Sequence, residues 1–236
     1  MNVALITGAS RGLGRELASE LAERGWSLVI DARGKDALAA TEVDLRHRLR
    51  DGAELVALAG DVTDGDHRRA LVAAAEAMGG LDLLVNNAST LGATPLPRLE
   101  HYPLDALLDT FEVNVVAPLA LCQVALPLLR RSPDPRIVNL SSDAAWEAYE
   151  GWGGYGVSKA ALDHLGKVLR VEEPLVRVWS IDPGDMQTQM HQDAFPGEDI
   201  SDRPLPAHSA RLLVAFIESG QRSGRYRVDD LSLAER

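Results

Sequence analysis

The chain has 236 residues, 46% of them hydrophobic and 25% charged, and its 35 acidic side chains against 24 basic ones leave a formal charge of −11. These are the proportions of an ordinary globule of one large domain or two small ones, not of a disordered or fibrous chain. The acidic balance argues against nucleic-acid partners and against binding to an anionic membrane.

Residues 1–8 lack the basic and apolar regions of a signal peptide. No run of about 18 uninterrupted apolar residues predicts a transmembrane helix. Cys122 is the one cysteine, so neither an internal disulfide nor a cysteine-based zinc site is available. A cytoplasmic location is expected. Short apolar runs at 3–7, 28–32, 55–58, 81–86, 136–141 and 176–181 read as strands buried on both faces of a sheet, and 225–228 would add a seventh. Between them, 12–24, 35–50, 64–78, 104–131, 155–172 and 207–219 have helical period. This alternation predicts an α/β architecture, a doubly wound Rossmann-type fold whose seven-stranded, mainly parallel sheet carries helices on both faces. With no internal repeat or linker, residues 1–236 read as a single dinucleotide-binding catalytic domain. The one long irregular stretch, 183–206, is rich in Pro, Gly, Asp and Met, and about 185–206 of it is expected to be a lid over the substrate.

Thr7-Gly8-Ala9-Ser10-Arg11-Gly12-Leu13-Gly14 follows the first strand and opens the first helix. Glycines there permit a tight turn and bring backbone N–H groups against a pyrophosphate, at which the helix aims its positive end. The strand–turn–helix context separates this from an ordinary glycine-rich turn.

With its T-G-x-x-x-G-x-G spacing, the chain resembles the short-chain dehydrogenase/reductase family, in its compact single-domain branch, over nearly its whole length. Further motifs fall in order: Asp61-Val62 after the third strand, Asn86-Asn87-Ala88 after the fourth with Ser89 where the family has glycine, then Ser142, Tyr155 and Lys159, then Pro183-Gly184 with Thr188. The resemblance implies catalysis by Ser142, Tyr155 and Lys159, with Asn114 in the fourth catalytic position. It implies a dinucleotide held by Gly8, Ser10, Arg11, Gly12, Leu13, Gly14, Arg33, Asp61, Val62, Asn87, Ala88, Tyr155, Lys159, Pro183, Gly184 and Thr188. Ser141 adjoins Ser142, but strand alternation turns the two apart, and the family's thirteen-residue spacing to the tyrosine selects Ser142. On the second strand the family's discriminating acid falls on Ala32 and its phosphate-binding arginine on Arg33, while Arg11 matches a second cation of NADP-preferring members. NADP is therefore the expected cofactor and NAD the alternative, and Asp31 would point away from the ribose or cap the following turn.

The chemistry also speaks for itself. Tyr155 and Lys159, four apart on a helix, project from one face. A phenol near pKa ~10 needs lowering by about three units to shuttle protons at neutral pH. That is about 4 kcal/mol, roughly what one cation at ~4 Å supplies in an effective dielectric of ~20. Ser142 would donate to the substrate oxygen and stabilise its developing charge. Pro118 lies four residues after Asn114 and has no N–H for that carbonyl, so the helix is expected to kink and the freed carbonyl to hold a water touching Lys159.

These residues predict an oxidoreductase moving a hydride between a nicotinamide and a carbonyl or secondary alcohol. The alternative is a non-catalytic NADP-binding sensor or scaffold on the same fold. A larger nucleotide-sugar epimerase is disfavoured, because little chain remains to hold such a substrate. Trp146 and Trp152, between Ser142 and Tyr155, and Met186 and His191, in the lid, are the substrate candidates, although the tryptophans could equally pack at a rim or subunit contact. The segment from Gly151-Trp152 to Tyr155 and the loop from Pro183-Gly184 to Thr188-Gln189-Met190 resemble the sepiapterin reductases of that family, too faintly to name a pterin. The six histidines show no metal-ligand spacing, so no metal is expected, and Cys122 reads as a small core residue. The apolar 104–131 and 155–172 helices predict a homodimer or homotetramer, as in the family, although the polar end 229–236 leaves the tetramer open.

Overall fold

The computed structural model describes residues 2–231; residues 232–236 of the polar end lie outside them. Seven strands form one sheet: β1 (Val3–Ile6), β2 (Ser27–Ala32), β3 (Leu55–Ala59), β4 (Leu83–Asn86), β5 (Arg136–Leu140), β6 (Arg177–Asp182) and β7 (Gly224–Arg227). Their order is β3-β2-β1-β4-β5-β6-β7 and every neighbouring pair is parallel, so the sheet is wholly rather than mainly parallel.

Strand alternation divides the apolar residues between two helical layers. Ala4, Ile6, Leu28, Ile30, Leu83 and Val85 face α1 (Gly12–Glu23), α2 (Lys35–Arg46) and, further along the chain, α8 (Pro206–Glu218), through Leu17, Leu21, Leu45, Leu213 and Ile217. Val3, Leu5, Val29, Leu84, Ile137 and Val178 face α3 (Gly65–Ala77) and α5 (Ala117–Leu129), through Leu71, Ala75, Leu121 and Ala125. The central strands are buried on both faces, which is why they read as continuous apolar runs; β3 and β7, at the edges, are only partly buried.

The expected helix over 104–131 is divided in the structure. α4 (Leu104–Phe111) runs into a π-turn at Glu112–Val116, where the Ala117 N–H reaches back five residues to the Glu112 carbonyl, and α5 then starts with Pro118 in its first turn. Proline breaks the α ladder as expected, but the chain absorbs the break by widening one turn. The 26 residues Leu104–Leu129 are long and apolar enough to cross a membrane by composition alone; here their buried share, Leu121 and Leu128 among it, packs on the sheet and α3. A second difference lies in 183–206, which is not irregular throughout, because Thr188 caps a short helix α7 (Gln189–Ala194), its hydroxyl accepting the His191 N–H at 3.2 Å. α6 (Gly153–Glu172) lies against β5 and β6, and α9 (Val228–Leu231) follows β7.

From β1 the chain builds outward to β3 and then returns to place β4 on the other side of β1. The loops after β1 and β4 therefore diverge, and the crevice between them is where an α/β sheet of this order holds its ligand.

Candidate active site

That crevice is a cleft of ≈960 Å³. It runs over Gly8, Ser10, Arg11, Gly12, Leu13 and Gly14, past Arg33, Asp61, Val62, Asn87 and Ala88, to Ser142, Tyr155 and Lys159, and ends under Pro183, Gly184, Met186, Thr188 and His191. Trp152 also lines it. Trp146 does not: the turn after Ser142 swings its ring outward to 75% exposure, away from the substrate position the sequence suggested.

At the dinucleotide end the turn admits only glycine. Gly8 has φ +67°, and a Cβ there would stand 2.9 Å from the Ala88 Cα; a Cβ on Gly14 would stand 2.5 Å from the Gly8 carbonyl oxygen and press on the Asn87 amide. Asn87 earns its place in this loop by donating to the Thr7 and Gly8 carbonyls at 2.8 and 3.1 Å, while the Thr7 hydroxyl oxygen accepts the Asn87 and Ala88 N–H groups at 3.0 Å. Asp31, fully buried, turns its carboxylate under the loop: one oxygen accepts the Gly8 N–H at 2.8 Å and the other pairs with His67 Nε2 at 3.1 Å. Both carboxylate oxygens are thus engaged, and Asp31, Ala32 and Arg33 follow one another along the cleft wall. Burial works against the charge of Asp61, but hydrogen bonds from the Thr63 N–H and hydroxyl, with Arg33 and His67 nearby, outweigh it and hold its pKa below the usual carboxylate value. The geometry fits a dinucleotide: close backbone approach at the turn, a helix N-terminus behind it, and Arg11 and Arg33 on the wall.

At the other end, Ser142 leaves β5 and caps a single 3₁₀ turn (Asp143–Ala145), its oxygen accepting the Ala144 N–H at 3.2 Å and its hydroxyl donating to Asp143 Oδ1 at 2.9 Å. Tyr149 donates to the other oxygen of Asp143 at 3.0 Å. Tyr155 and Lys159 stand on successive turns of α6, both buried. The ammonium donates to the Leu140 carbonyl at 2.8 Å and lies 5.5 Å from the centroid of the Tyr155 ring. Ser141 is buried and also borders the cleft, its N–H donated to the Ile181 carbonyl.

The electrostatics of the chain alone differ from the expectation. Burial raises the Tyr155 phenol well above its ordinary pKa, and Asp182 and Asp143 push the same way, while hydrogen bonds from Ser89 and Ser142 only partly oppose them. The nearby ammonium does not bring the phenol to neutrality, because desolvation exceeds the pull of one cation. Burial also pulls Lys159 down to about 8, with Asp163 opposing, so the side chain is still mostly protonated at neutral pH.

Asn114, 1% exposed, does not line the cleft. Its side-chain oxygen accepts the Thr90 N–H at 2.9 Å and the Ser89 hydroxyl at 3.1 Å, and its amide donates to the Thr90 carbonyl and the Ser158 hydroxyl at 2.8 and 2.9 Å. It therefore staples the loop after β4 to α6. Ser89 and Asp182 were both missed by sequence reasoning. Ser89 was visible only as a departure from the glycine pattern, and Asp182 as an acid ending a strand otherwise buried.

The 183–206 segment folds on itself and borders the cleft. The Gln187 side chain donates to the Ser201 and Arg203 carbonyls at 2.9 and 2.7 Å, and the Thr188 methyl lies 3.5 Å from where a Cβ on Gly12 would stand. Phe195 packs on Trp152 at 5.7 Å and on His191 at 4.9 Å, and Trp152 meets Tyr155 edge-on at 5.7 Å. One wall of the substrate end is thus aromatic and apolar, with Leu91, Met190 and Ala194. The remainder carries the carboxylates of Asp143, Asp182 and Asp185, with Arg227 3.6 Å from Asp182 and His191 3.7 Å from Asp185. Among the described residues no cluster of three side chains could hold a metal ion.

Comparison with known proteins agrees with this geometry. The family model described as short chain dehydrogenase matches residues 2–199. Sepiapterin reductase of Mus musculus is 36% identical over 199 residues, covering 80% of this chain and 76% of that protein. Benzil reductase ((S)-benzoin forming) of Saccharomyces cerevisiae is 36% identical over 201 residues, covering 81% and 74%. The structure of an alcohol dehydrogenase from Thermococcus sibiricus complexed with 5-hydroxy-NADP superposes with TM-score 0.85 at 26% identity, over 96% of this chain and 95% of that one.

The cradle yields a direct test. Gly14→Ala forces a methyl into the Gly8 carbonyl and the Asn87 amide, so NADPH titrated by fluorescence should bind about tenfold or more weakly, a loss of about 1.4 kcal/mol or more. Unchanged affinity would mean that the turn does not approach the diphosphate.

Proposed function

This chain belongs to the short-chain dehydrogenase family, and we propose that it is an NADP(H)-dependent carbonyl reductase in which Tyr155, Lys159 and Ser142 handle the proton chemistry. The observation that carries the reading is the Lys159 ammonium, held on the Leu140 carbonyl one helical turn from Tyr155, at the end of the same cleft whose other end is the glycine cradle. Arg11 and Arg33, with Ala32 where an NAD-binding acid would stand, support NADP, as does the ligand of the Thermococcus sibiricus structure.

A bound nicotinamide supplies the hydride that reaches the carbonyl carbon. Ser142 turns its hydroxyl from Asp143 to the substrate oxygen and stabilises the charge that develops there. Tyr155 gives its phenolic proton to that oxygen, completing the alcohol, and the charged Lys159 stabilises the phenolate left behind until solvent reprotonates it. A phenol that burial and two carboxylates keep protonated is loaded as the acid that this step requires. Asn114 holds the Ser89–Thr90 loop to α6, and its main chain at the widened turn is the candidate station for a relay water. The carboxylates of Asp143, Asp182 and Asp185 disfavour an anionic 2-oxo acid. The Trp152–Phe195 wall favours a neutral aromatic carbonyl compound, the chemistry for which sepiapterin and benzil reductases are named. The single unit and its lid, the cytoplasmic location and the absence of nucleic-acid and membrane partners remain part of this reading.

NADPH oxidation with a panel of carbonyl compounds tests it. Benzil should be turned over and pyruvate should not, and Tyr155→Phe should lower turnover about 10³-fold or more while NADPH affinity stays within about twofold. A Phe variant that still turns over would leave the sensor reading. The pH profile follows from Lys159. Its ammonium is present below pH about 8 and lost above it, so kcat/KM for reduction should be flat near neutrality and fall by about tenfold per unit at higher pH. A profile flat to pH 10 would exclude the ammonium. Leu104 and Leu108 of α4, Val116 and Leu119 beside the π-turn and in α5, and Val157 and Val168 of α6 are exposed. They support a homodimer or homotetramer. Light scattering at micromolar concentration should give two or four times the chain mass, and a stable monomer would refute it.

A further inference from the structure

Strand β7 lies beyond the residues that the family model matches, yet it reaches the catalytic end of the cleft. Arg225 donates from Nε to Asp163 Oδ2 at 2.8 Å and from Nη2 to the Ser142 carbonyl at 2.9 Å. Asp163 stands on α6 one turn beyond Lys159, nine-tenths buried, and its second carboxylate oxygen is buried without a hydrogen-bond partner. The end of β5 is therefore gripped twice by cations: Lys159 takes the Leu140 carbonyl and Arg225 takes the Ser142 carbonyl two residues later. Asp163 faces both. A buried ammonium and a partly buried guanidinium on one strand end would be poorly compensated without a carboxylate that serves both.

We propose that Arg225 and Asp163 form a positioning pair, in which Arg225 fixes the turn that aims the Ser142 hydroxyl and Asp163, one helical turn beyond Lys159 on α6, is the shared counter-charge of both cations. The proposal rests on the reductase reading for its kinetic consequences, but the contact itself does not. The fork of a guanidinium suits this bridge, because one planar group satisfies a carboxylate and a carbonyl at once, which an ammonium on a flexible stem would not. Tyr155 and Asp163 of its own helix face Lys159, Arg225 of β7 reaches Asp163, and Asp182 of β6 and Asp143 after β5 act on Tyr155. Of the carboxylates, Asp163 acts on Lys159.

The test uses the full chain with NADPH and benzil. Arg225→Gln should lower kcat about 10- to 100-fold, as displacement of a catalytic group by an ångström does, with NADPH affinity within about twofold. Arg225→Lys, which keeps the charge without the fork, should recover only part of the loss. Asp163→Asn should move the alkaline limb of kcat/KM below its wild-type position, because Lys159 loses the charge that sustains it. Hydrogen exchange of the Ala144, Ala145 and Trp146 amides should quicken in Arg225→Gln. The proposal is overturned if Arg225→Gln keeps kcat within twofold, if its exchange at 144–146 is unchanged, if the limb stays in place in Asp163→Asn, or if NADPH affinity falls in step with kcat. Should the wild-type chain reduce no carbonyl compound, the reductase reading fails, and the exchange rates still decide whether Arg225 holds the turn.

Discussion

A buried ammonium on the Leu140 carbonyl organises the catalytic half of this molecule. Lys159 can be charged there only because the strand end, not water, receives its N–H, and because Asp163 lies one turn away. The requirement propagates outward. The carbonyl is presented by the last residue of β5, whose register is set by β4 and β6, and α6 is held at the right height by Asn114 through Ser158. Displacing any of these would part the ammonium from the Leu140 carbonyl.

Most of this was legible because it obeys simple periods. The apolar runs gave the strands since the central five are covered on both faces, and the glycine turn announced itself by following the first of them. What escaped was determined by contacts between residues far apart in sequence. Arg225 bonds to residues 62 and 83 positions away, so no local pattern marks it. Pro118 signalled a broken helix, but whether the chain would bend or widen depended on packing over the sheet and on the Ser89–Thr90 loop that Asn114 holds. Trp146 and Trp152 are equally aromatic and six residues apart; a 3₁₀ turn sends one to solvent and leaves the other against Tyr155.

The cofactor reading shows the same division. Sequence register placed Ala32 and Arg33 at the ribose and left Asp31 to point elsewhere, and the structure gives Asp31 a definite task under the Gly8 N–H beside His67. The acid that would have argued for NAD lines the cleft with both carboxylate oxygens already engaged, and the guanidinium of Arg33 remains near Asp61, whose pKa it helps to lower.

The electrostatics of Tyr155 bear on direction as well as on rate. A single cation was sufficient on paper to acidify a phenol in a medium of moderate dielectric, but the ring here is enclosed by Trp152, Ala144 and Leu91, and Asp182 and Asp143 add negative charge. Desolvation and like charge both disfavour phenolate, so in the proposed mechanism proton loss is coupled to the appearance of negative charge on the substrate oxygen, with the Lys159 ammonium 5.5 Å from the ring centroid as counter-charge. An enzyme working from alcohol to ketone would need the phenolate in its resting state. These surroundings hold the phenol instead, the form from which a proton can pass to a substrate oxygen.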